Sequence, residues 1–439
     1  MPKACWWRSI GQTDVVATII ERLRGQEKLL VLCGATFLVM AGQGVVSPVL
    51  ALYAKEFGVG TTMVGLTVTV FAVARLLTNI PAGLIADRFG RRAILIGGPL
   101  VTSVGMIGSG MADSIWTLLA WRFVAGAGSA LYMSGAMVYL IDIARPDQLS
   151  RYVATNQWAL SLGVALGPGI GGVVADRWGL GAPFFVVGGT ALAASLYALV
   201  RLPETLERPP EEGATQQQAV NRQDDTSVVS SESAVDSPLT AMSLVKSRPF
   251  LLLAFASMTI FMIRAGTRGT LMPLRADQAI GWGPREIGLL FTLTGGLTLF
   301  TLFPAGRAAD NIGRRWVILF SGVMAGIGAM TIASSTAVAA FVIGNIVMSF
   351  GTGTAGPAPA AFVADITPPH LRGVLVGMYR SAGDIGVIIG PVLLGWLSDQ
   401  TSLALAMRVS AGFVVLAAVM FFFGTANHPA AGRQTHART

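Results

Sequence analysis

The sequence predicts an all-α membrane protein, with twelve transmembrane helices forming two pseudo-symmetric six-helix bundles. Three observations predict it. The 439-residue chain is 53% hydrophobic and only 12% charged, where a soluble globular chain carries about 25% charged residues. Its charges gather in clusters between apolar runs of about 20 residues, the length that crosses a bilayer as a helix. The stretch Gly83-Leu84-Ile85-Ala86-Asp87-Arg88-Phe89-Gly90-Arg91-Arg92 returns 223 residues later as Gly306-Arg307-Ala308-Ala309-Asp310-Asn311-Ile312-Gly313-Arg314-Arg315. A period that long is no solenoid. It marks a chain built from two similar halves.

Residues 1–28 precede the first apolar run and lack a clean apolar core, so no signal peptide is evident. Val15, Val16, Ile19, Ile20 and Leu23 form a helical stripe with Trp6-Trp7 ahead of it. The segment reads equally as an interfacial helix or as a frayed cytosolic tail. The first bundle, 29–202, holds spans at 29–54, 61–85, 93–112, 114–142, 152–176 and 182–202. Residues 203–248, rich in Glu, Gln, Ser and Pro, cannot bury a core and read as a disordered linker. The second bundle, 249–424, holds spans at 249–275, 284–309, 316–334, 336–365, 373–398 and 402–424, and a tail follows at 425–439.

The same offset carries Gly65 onto Gly288, Asp142 onto Asp365, Gly163 onto Gly386, Gly167-Pro168 onto Gly390-Pro391, and Asp176 onto Asp399. Six spans return the second copy to the same side of the membrane. The repeats are therefore parallel, about an axis along the membrane normal, with a site expected at midplane between them. With the N-terminus inside, the cytoplasmic segments hold 21 of the 31 Lys and Arg and the outer segments only Lys55, Arg177, Arg275 and Arg285. That asymmetry puts both termini in the cytoplasm and explains the net charge of +8 without nucleic acid. Cys5 and Cys33 stand far from any His cluster, so no metal spacing and no disulfide framework follow. Gly351 to Gly356 lies within a span and lacks the Lys of a phosphate loop. No cofactor, no ATP-driven pump and no enzyme are expected.

Gly83 to Arg92 resembles the signature loop between helices 2 and 3 of the major facilitator superfamily, and 306–315 a degenerate copy between helices 8 and 9. Gly163-x-x-x-Gly167-Pro168-x-x-Gly171-Gly172 is similar to the helix-5 motif of that superfamily's proton-coupled drug antiporters. Arg122-x-x-x-Gly126-x-Gly128-x-Ala130 is similar to their helix-4 motif, with Ala125 where a Gln is usual. The resemblance implies a cytoplasmic gate of Gly83, Asp87, Arg88, Gly90, Arg91 and Asp142, repeated less fully as Asp310, Gly313, Arg314 and Asp365. In it, Asp87 would meet the N-terminus of the eleventh helix near Gly373, and Arg91 would pair with Asp142. Topology alone accounts for Arg92 and Arg315. The resemblance also implies that the fifth helix packs tightly within its own half.

Charges inside the spans are Arg75, Arg122, Arg264, Arg268, Arg380, Arg408 and the single acid Asp384. Each would cost about 3 kcal/mol facing lipid at a helix centre, so each needs a wet cavity or a partner. Arg75 and Arg408 lie near enough to span ends to snorkel. The resemblance gives Arg122 a part in proton coupling or substrate electrostatics. Arg264 and Arg268, one turn apart, favour an anionic group, or else form a buried network with Asp384. Asp384 is either a proton carrier or a static ion pair with Arg380. Gln43, Asn79, Asn156, Gln157, Asn345 and Tyr379 are candidate hydrogen-bonding partners of substrate. The expected function is proton-coupled efflux of small amphiphilic or anionic organic molecules by a monomer in the plasma (inner) membrane, with protons as coupling ion and the lipid bilayer as surroundings. An importer or facilitator of an organic anion is the alternative, and a non-transporting receptor or assembly factor the third reading.

Overall fold

The computed structural model describes residues 12–144, 148–202, 244–368 and 371–425. Residues 203–243 of the expected linker, residues 426–439 of the expected tail, Trp6-Trp7 and the side chain of Asp87 lie outside what is described. Among the described residues the chain is helical: α1 (Gln12–Val46), α2 (Leu50–Glu56), α3 (Thr61–Phe89), α4 (Arg91–Gly110), α5 (Ile115–Ile143), α6 (Leu149–Trp178), α7 (Ala182–Arg201), α8 (Arg248–Met262), a π-helical segment (Ile263–Leu271), α9 (Met272–Ile280), α10 (Pro284–Asn311), α11 (Arg314–Ser334), α12 (Val338–Thr354), α13 (Pro357–Ile366), α14 (Arg372–Gln400) and α15 (Leu403–Gly424). Twelve candidate spans are long and apolar enough to cross a membrane.

Three spans are less regular than the apolar pattern suggests. The first begins within a helix that already starts at Gln12 and breaks at Ser47-Pro48-Val49 before α2. Pro48 has no N–H to continue the ladder, and Val49 N bonds back to Val46 O at 3.1 Å instead. The seventh passes from α8 into nine π-helical residues and on into α9. The tenth breaks at Ala355-Gly356, and Pro357 opens α13, a position where a missing N–H is harmless.

The signature stretch is also not the loop that the sequence suggests. α3 runs on to Phe89 and α4 starts at Arg91, so a single residue, Gly90, turns the chain. Its φ of 96° and ψ of 154° suit only glycine. Gly313 takes the matching conformation between α10 and α11, after one further residue, Ile312, with φ 107° and ψ 139°. Gly83, expected in the turn, instead sits inside α3 with open space where a side chain would point.

Packing within each repeat follows one pattern. Gly105 and Gly128 bring α4 against α5 at Ala125 N and Thr102 N, and Gly328 and Gly351 bring α11 against α12 at Met348 N and Ala325 N. The small residues let backbones touch, which is how helices associate without a hydrophobic drive between them. Gly163 of α6 lies on Phe37 O and Ala41 N of α1, and Gly386 of α14 lies on Met258 O and Met262 N of α8. Tyr132, Tyr139 and Leu140 centre one apolar core, and Phe362 and Phe421, with ring centroids 5.1 Å apart, centre the other.

The chain divides into two compact units, and the borders after residues 267, 299, 390 and 403 fall inside helical segments. Unit one takes the chain up to residue 205, residues 268–299 and residues 391–403. Unit two takes the rest. The units are thus not the two sequence repeats, because close backbone contacts attach the Gly288 end of α10 and the C-terminal turns of α14 to the first repeat's helices.

Candidate functional site

In unit one, the one-residue turn at Gly90 aims α4 so that Arg91 Nε donates to Asp142 Oδ2 of α5 at 3.1 Å. Both side chains are about four-fifths buried, at 16% and 25% exposure. Arg92 donates to Leu199 O of α7 at 2.6 Å, so it also ties helix to helix. Arg88 is exposed and stands over the Phe89 ring at 5.5 Å.

Arg122 of α5 is buried, with 6% exposure. Gly126 lets α5 touch the α3 backbone at Phe71 O, and Arg122 then reaches Thr67 O through Nε at 3.3 Å and lies 4.4 Å from the Phe71 ring centroid. A carbonyl and an aromatic face satisfy a guanidinium only in part. Gln43 donates to Ser129 Oγ at 2.6 Å, and Thr36 bridges Tyr132 and Asn156, at 2.8 Å each. Gln157 and Asn79 are exposed, and Arg75 is half-buried.

The Gly/Pro stretch of α6 works on two faces. Gly163, Gly167 and Gly171 receive the α1 backbone at Ala41, Gly44 and Val45. Pro168 and Gly172 meet α10, at Gly288 and Pro284 O, and Gly169 N donates to Thr292 Oγ1 at 2.7 Å. The expectation of packing within one half is therefore incomplete: half of the motif binds the other repeat. The matching contact is made by Gly65 and Thr61 of α3, on Pro391 O and Gly395 of α14. There Asp399 accepts from Thr61 N at 2.7 Å, Thr62 N at 2.8 Å and Thr62 Oγ1 at 2.5 Å, capping α3 from a distant helix. Arg268 also belongs to this unit, donating to Thr294 Oγ1 at 2.8 Å with the Phe291 ring 5.2 Å away.

In unit two, Arg314 pairs with Asp365 and donates to Ala361 O, the counterparts of Arg91 and Asp142. Asp310 is exposed at the end of α10. Arg315 stands over the Phe422 ring at 4.3 Å. Arg264 leaves the π-helical segment beside the Phe261 ring, 5.6 Å from its centroid, and faces Tyr379 of α14. Arg264 thus has the Phe261 ring beside it in unit two, and Arg268 has Thr294 and the Phe291 ring in unit one. Arg380 and Asp384 of α14 are exposed. Asn345 is buried and donates to Phe341 O of its own helix at 2.9 Å. Arg408 reaches Ser334 Oγ at 3.4 Å. A cavity of about 70 Å³ lies among α8, the π-helical segment, α11, α12 to α13, α14 and α15, lined by Ser257, Arg264 and Tyr379.

Sequence reasoning missed Asp399, Ser257 and Thr294. The offset from Asp176 singled out Asp399 but gave it no task, and its partners lie 337 and 338 positions away. A single Ser or Thr in an apolar span carries no signal of its own.

Residues 32–274 and 260–439 match the family model of the Major Facilitator Superfamily. An uncharacterized MFS-type transporter of Methanocaldococcus jannaschii is 23% identical over 397 residues, covering 90% of this chain and 98% of that protein. Multidrug resistance protein 2 of Bacillus subtilis is 24% identical over 374 residues, 84% of this chain and 88% of that protein. A bacterial homolog of the human lysosomal transporter Spinster, in an inward-facing and unoccupied conformation, shares the fold with a TM-score of 0.76 at 15% identity, covering 92% of this chain and 97% of that one. The human organic anion transporter MFSD10 shares it with a TM-score of 0.61 at 17% identity, over 90% of this chain and 99% of that one. With the family model matched across both repeats, the chain belongs to the Major Facilitator Superfamily.

Proposed function

We propose that the protein is a proton-coupled exporter of small amphiphilic or anionic organic molecules, working by alternating access with both termini in the cytoplasm. The paired contacts Arg91–Asp142 and Arg314–Asp365 carry this reading. They brace the two copies of the signature stretch in the same way, as a gate used in each repeat requires. The two-faced α6 motif supports export, as do relatives that are multidrug resistance proteins. Six arginines against one acid within the spans favour negatively charged or amphiphilic substrates over cations.

The test is flux in liposomes across an imposed pH gradient, with a panel of organic anions and amphiphilic drugs. Proton-driven flux that collapses with a protonophore is expected, and Asp87→Asn should impair it while leaving insertion intact. Asp384→Asn separates proton carriage from a structural part for that acid: loss of pH dependence with retained exchange assigns it the proton. Flux indifferent to the gradient replaces the reading with a facilitator or importer of an organic anion.

A further inference from the structure

We propose that Asn156 is a specificity-determining residue of the transport path, offering its amide N–H groups to an uncharged carbonyl oxygen of the substrate. A directed chain of hydrogen bonds in unit one sets that amide. Tyr132 Oη meets Thr36 Oγ1 at 2.8 Å, and Thr36 Oγ1 donates to Asn156 Oδ1 at 2.8 Å. Tyr132 and Thr36 are both at 0% exposure. Among the described residues their side chains have no other hydrogen-bond partners. A Thr hydroxyl has one hydrogen to give. Given to Asn156, it leaves the Thr36 oxygen free to accept from Tyr132, and both hydroxyls are satisfied. With the amide turned over, Thr36 would donate to Tyr132, and the Tyr132 hydrogen would be stranded in a dry core, which buried polar groups avoid. The core therefore holds Oδ1 inward and turns Nδ2 out. Asn156 is half-buried, and its Nδ2 has no hydrogen bond among the described residues.

Its depth sets what the amide can face. Thr36 sits near the middle of the Glu27–Val46 span. A polar group at that level is costly against acyl chains and belongs on a wet path through the bundle. The second repeat shows what the helix tie alone requires. Ser257 precedes Met258 as Thr36 precedes Phe37, and it stands beside Tyr379, seven residues before Gly386 as Asn156 is before Gly163. That tie is closed off, with Ser257 5% and Tyr379 8% exposed. Joining the two helices therefore needs hydroxyls only. The open amide of Asn156 is surplus to that task. So is Tyr132, whose place the offset of 223 gives to Ala355. Tyr132 is a positioning residue, because it keeps the amide one way round. Among the described residues no charged side chain bonds Asn156, Thr36 or Tyr132. Nothing there balances a carboxylate, so the oxygen that suits Nδ2 is an uncharged carbonyl. For the anionic part of the substrate this rests on the exporter reading.

The experiment measures equilibrium binding of two radiolabelled anions to the purified protein in phosphatidylcholine nanodiscs, with no proton gradient. The anions are 3-benzoylpropanoate and 4-phenylbutanoate, which differ only in a carbonyl that the second lacks. The readout is the ratio of their affinities. The parent should prefer the carbonyl compound about fivefold, the scale of one neutral hydrogen bond. Asn156→Leu should remove the preference by weakening the carbonyl compound alone. Tyr132→Phe should shrink it, since a turned-over amide then strands no hydroxyl. A preference retained in Asn156→Leu, equal weakening of both anions there, equal binding of both by the parent, or binding of neither overturns the proposal. If Asn156→Leu does not fold, Tyr132→Phe decides, and an undiminished preference in it overturns the proposal. Carbonyl preference without proton-driven flux would refute the exporter and keep the part of Asn156; proton-driven flux without the preference would do the reverse.

Discussion

Arg91 and Gly90 stand side by side and carry opposite kinds of constraint. The Arg91–Asp142 pair keeps 16% and 25% of its side-chain surface exposed, so its net worth to stability stays near the ~0–1 kcal/mol of an accessible ion pair. Arg91→Ala should therefore move the melting temperature of the purified protein little while lowering transport several-fold. A large loss of thermal stability with normal flux would make the pair a brace and not a gate. Gly90 is the reverse case. At φ 96° an alanine is strained by about 1–3 kcal/mol, so Gly90→Ala should melt earlier. Gly83→Ala, in a helix with open space beyond it, should melt as the parent does or slightly later. The sequence pattern marked both glycines alike. Only the helix boundaries separate them, and those depend on how far α3 continues past its apolar run.

Between elements, α6 and α14 play matching parts. α6 meets α10 at Pro168, Gly172 and Gly288, while α14 meets α3 at Pro391, Gly395 and Gly65. The match is incomplete at one end, where Asp399 takes two backbone N–H groups and a hydroxyl from the first turn of α3 and Pro284, at the matching start of α10, has no N–H to offer. Loss of such a cap costs about 1 kcal/mol, enough to shift an equilibrium between conformations about fivefold. Asp399→Ala should thus loosen α3 from α14. In a background without Cys5 and Cys33, Val64→Cys, buried at 1% exposure in the parent, should react several-fold faster with an impermeant maleimide when Asp399 is alanine. Equal rates would show that the backbone contacts alone hold the seam. Capping rules read neighbours along the chain, so a cap supplied from another repeat leaves no mark that they can find.

For the molecule as a whole, hydropathy and one long repeat made the twelve spans and their pairing legible, because span length and backbone satisfaction leave an apolar chain few choices. The offset of 223 residues also placed Asp142 with Asp365 and Pro168 with Pro391. What stayed hidden was where the arginines turn. Arg264 and Arg268 looked like successive positions on one α-helical face, and the segment that carries both is π-helical. That winding has a consequence for the ancestry of the fold. Before it, the repeats run in a register of 221, since Phe37 and Ala41 touch Gly163 as Met258 and Met262 touch Gly386. After it, the register is 223, from Thr61 and Pro284 onward. The second repeat therefore carries two surplus residues between these points, and a π-helix is how a helix houses surplus residues without shifting its ends. Deleting Ala265 and Gly266 should restore the first repeat's register and yield a folded protein with an ordinary helix there, seen as retained monodispersity and melting. Flux that depends on Arg264 should be lost, because the deletion removes the two residues that follow it and rewinds the segment that carries it.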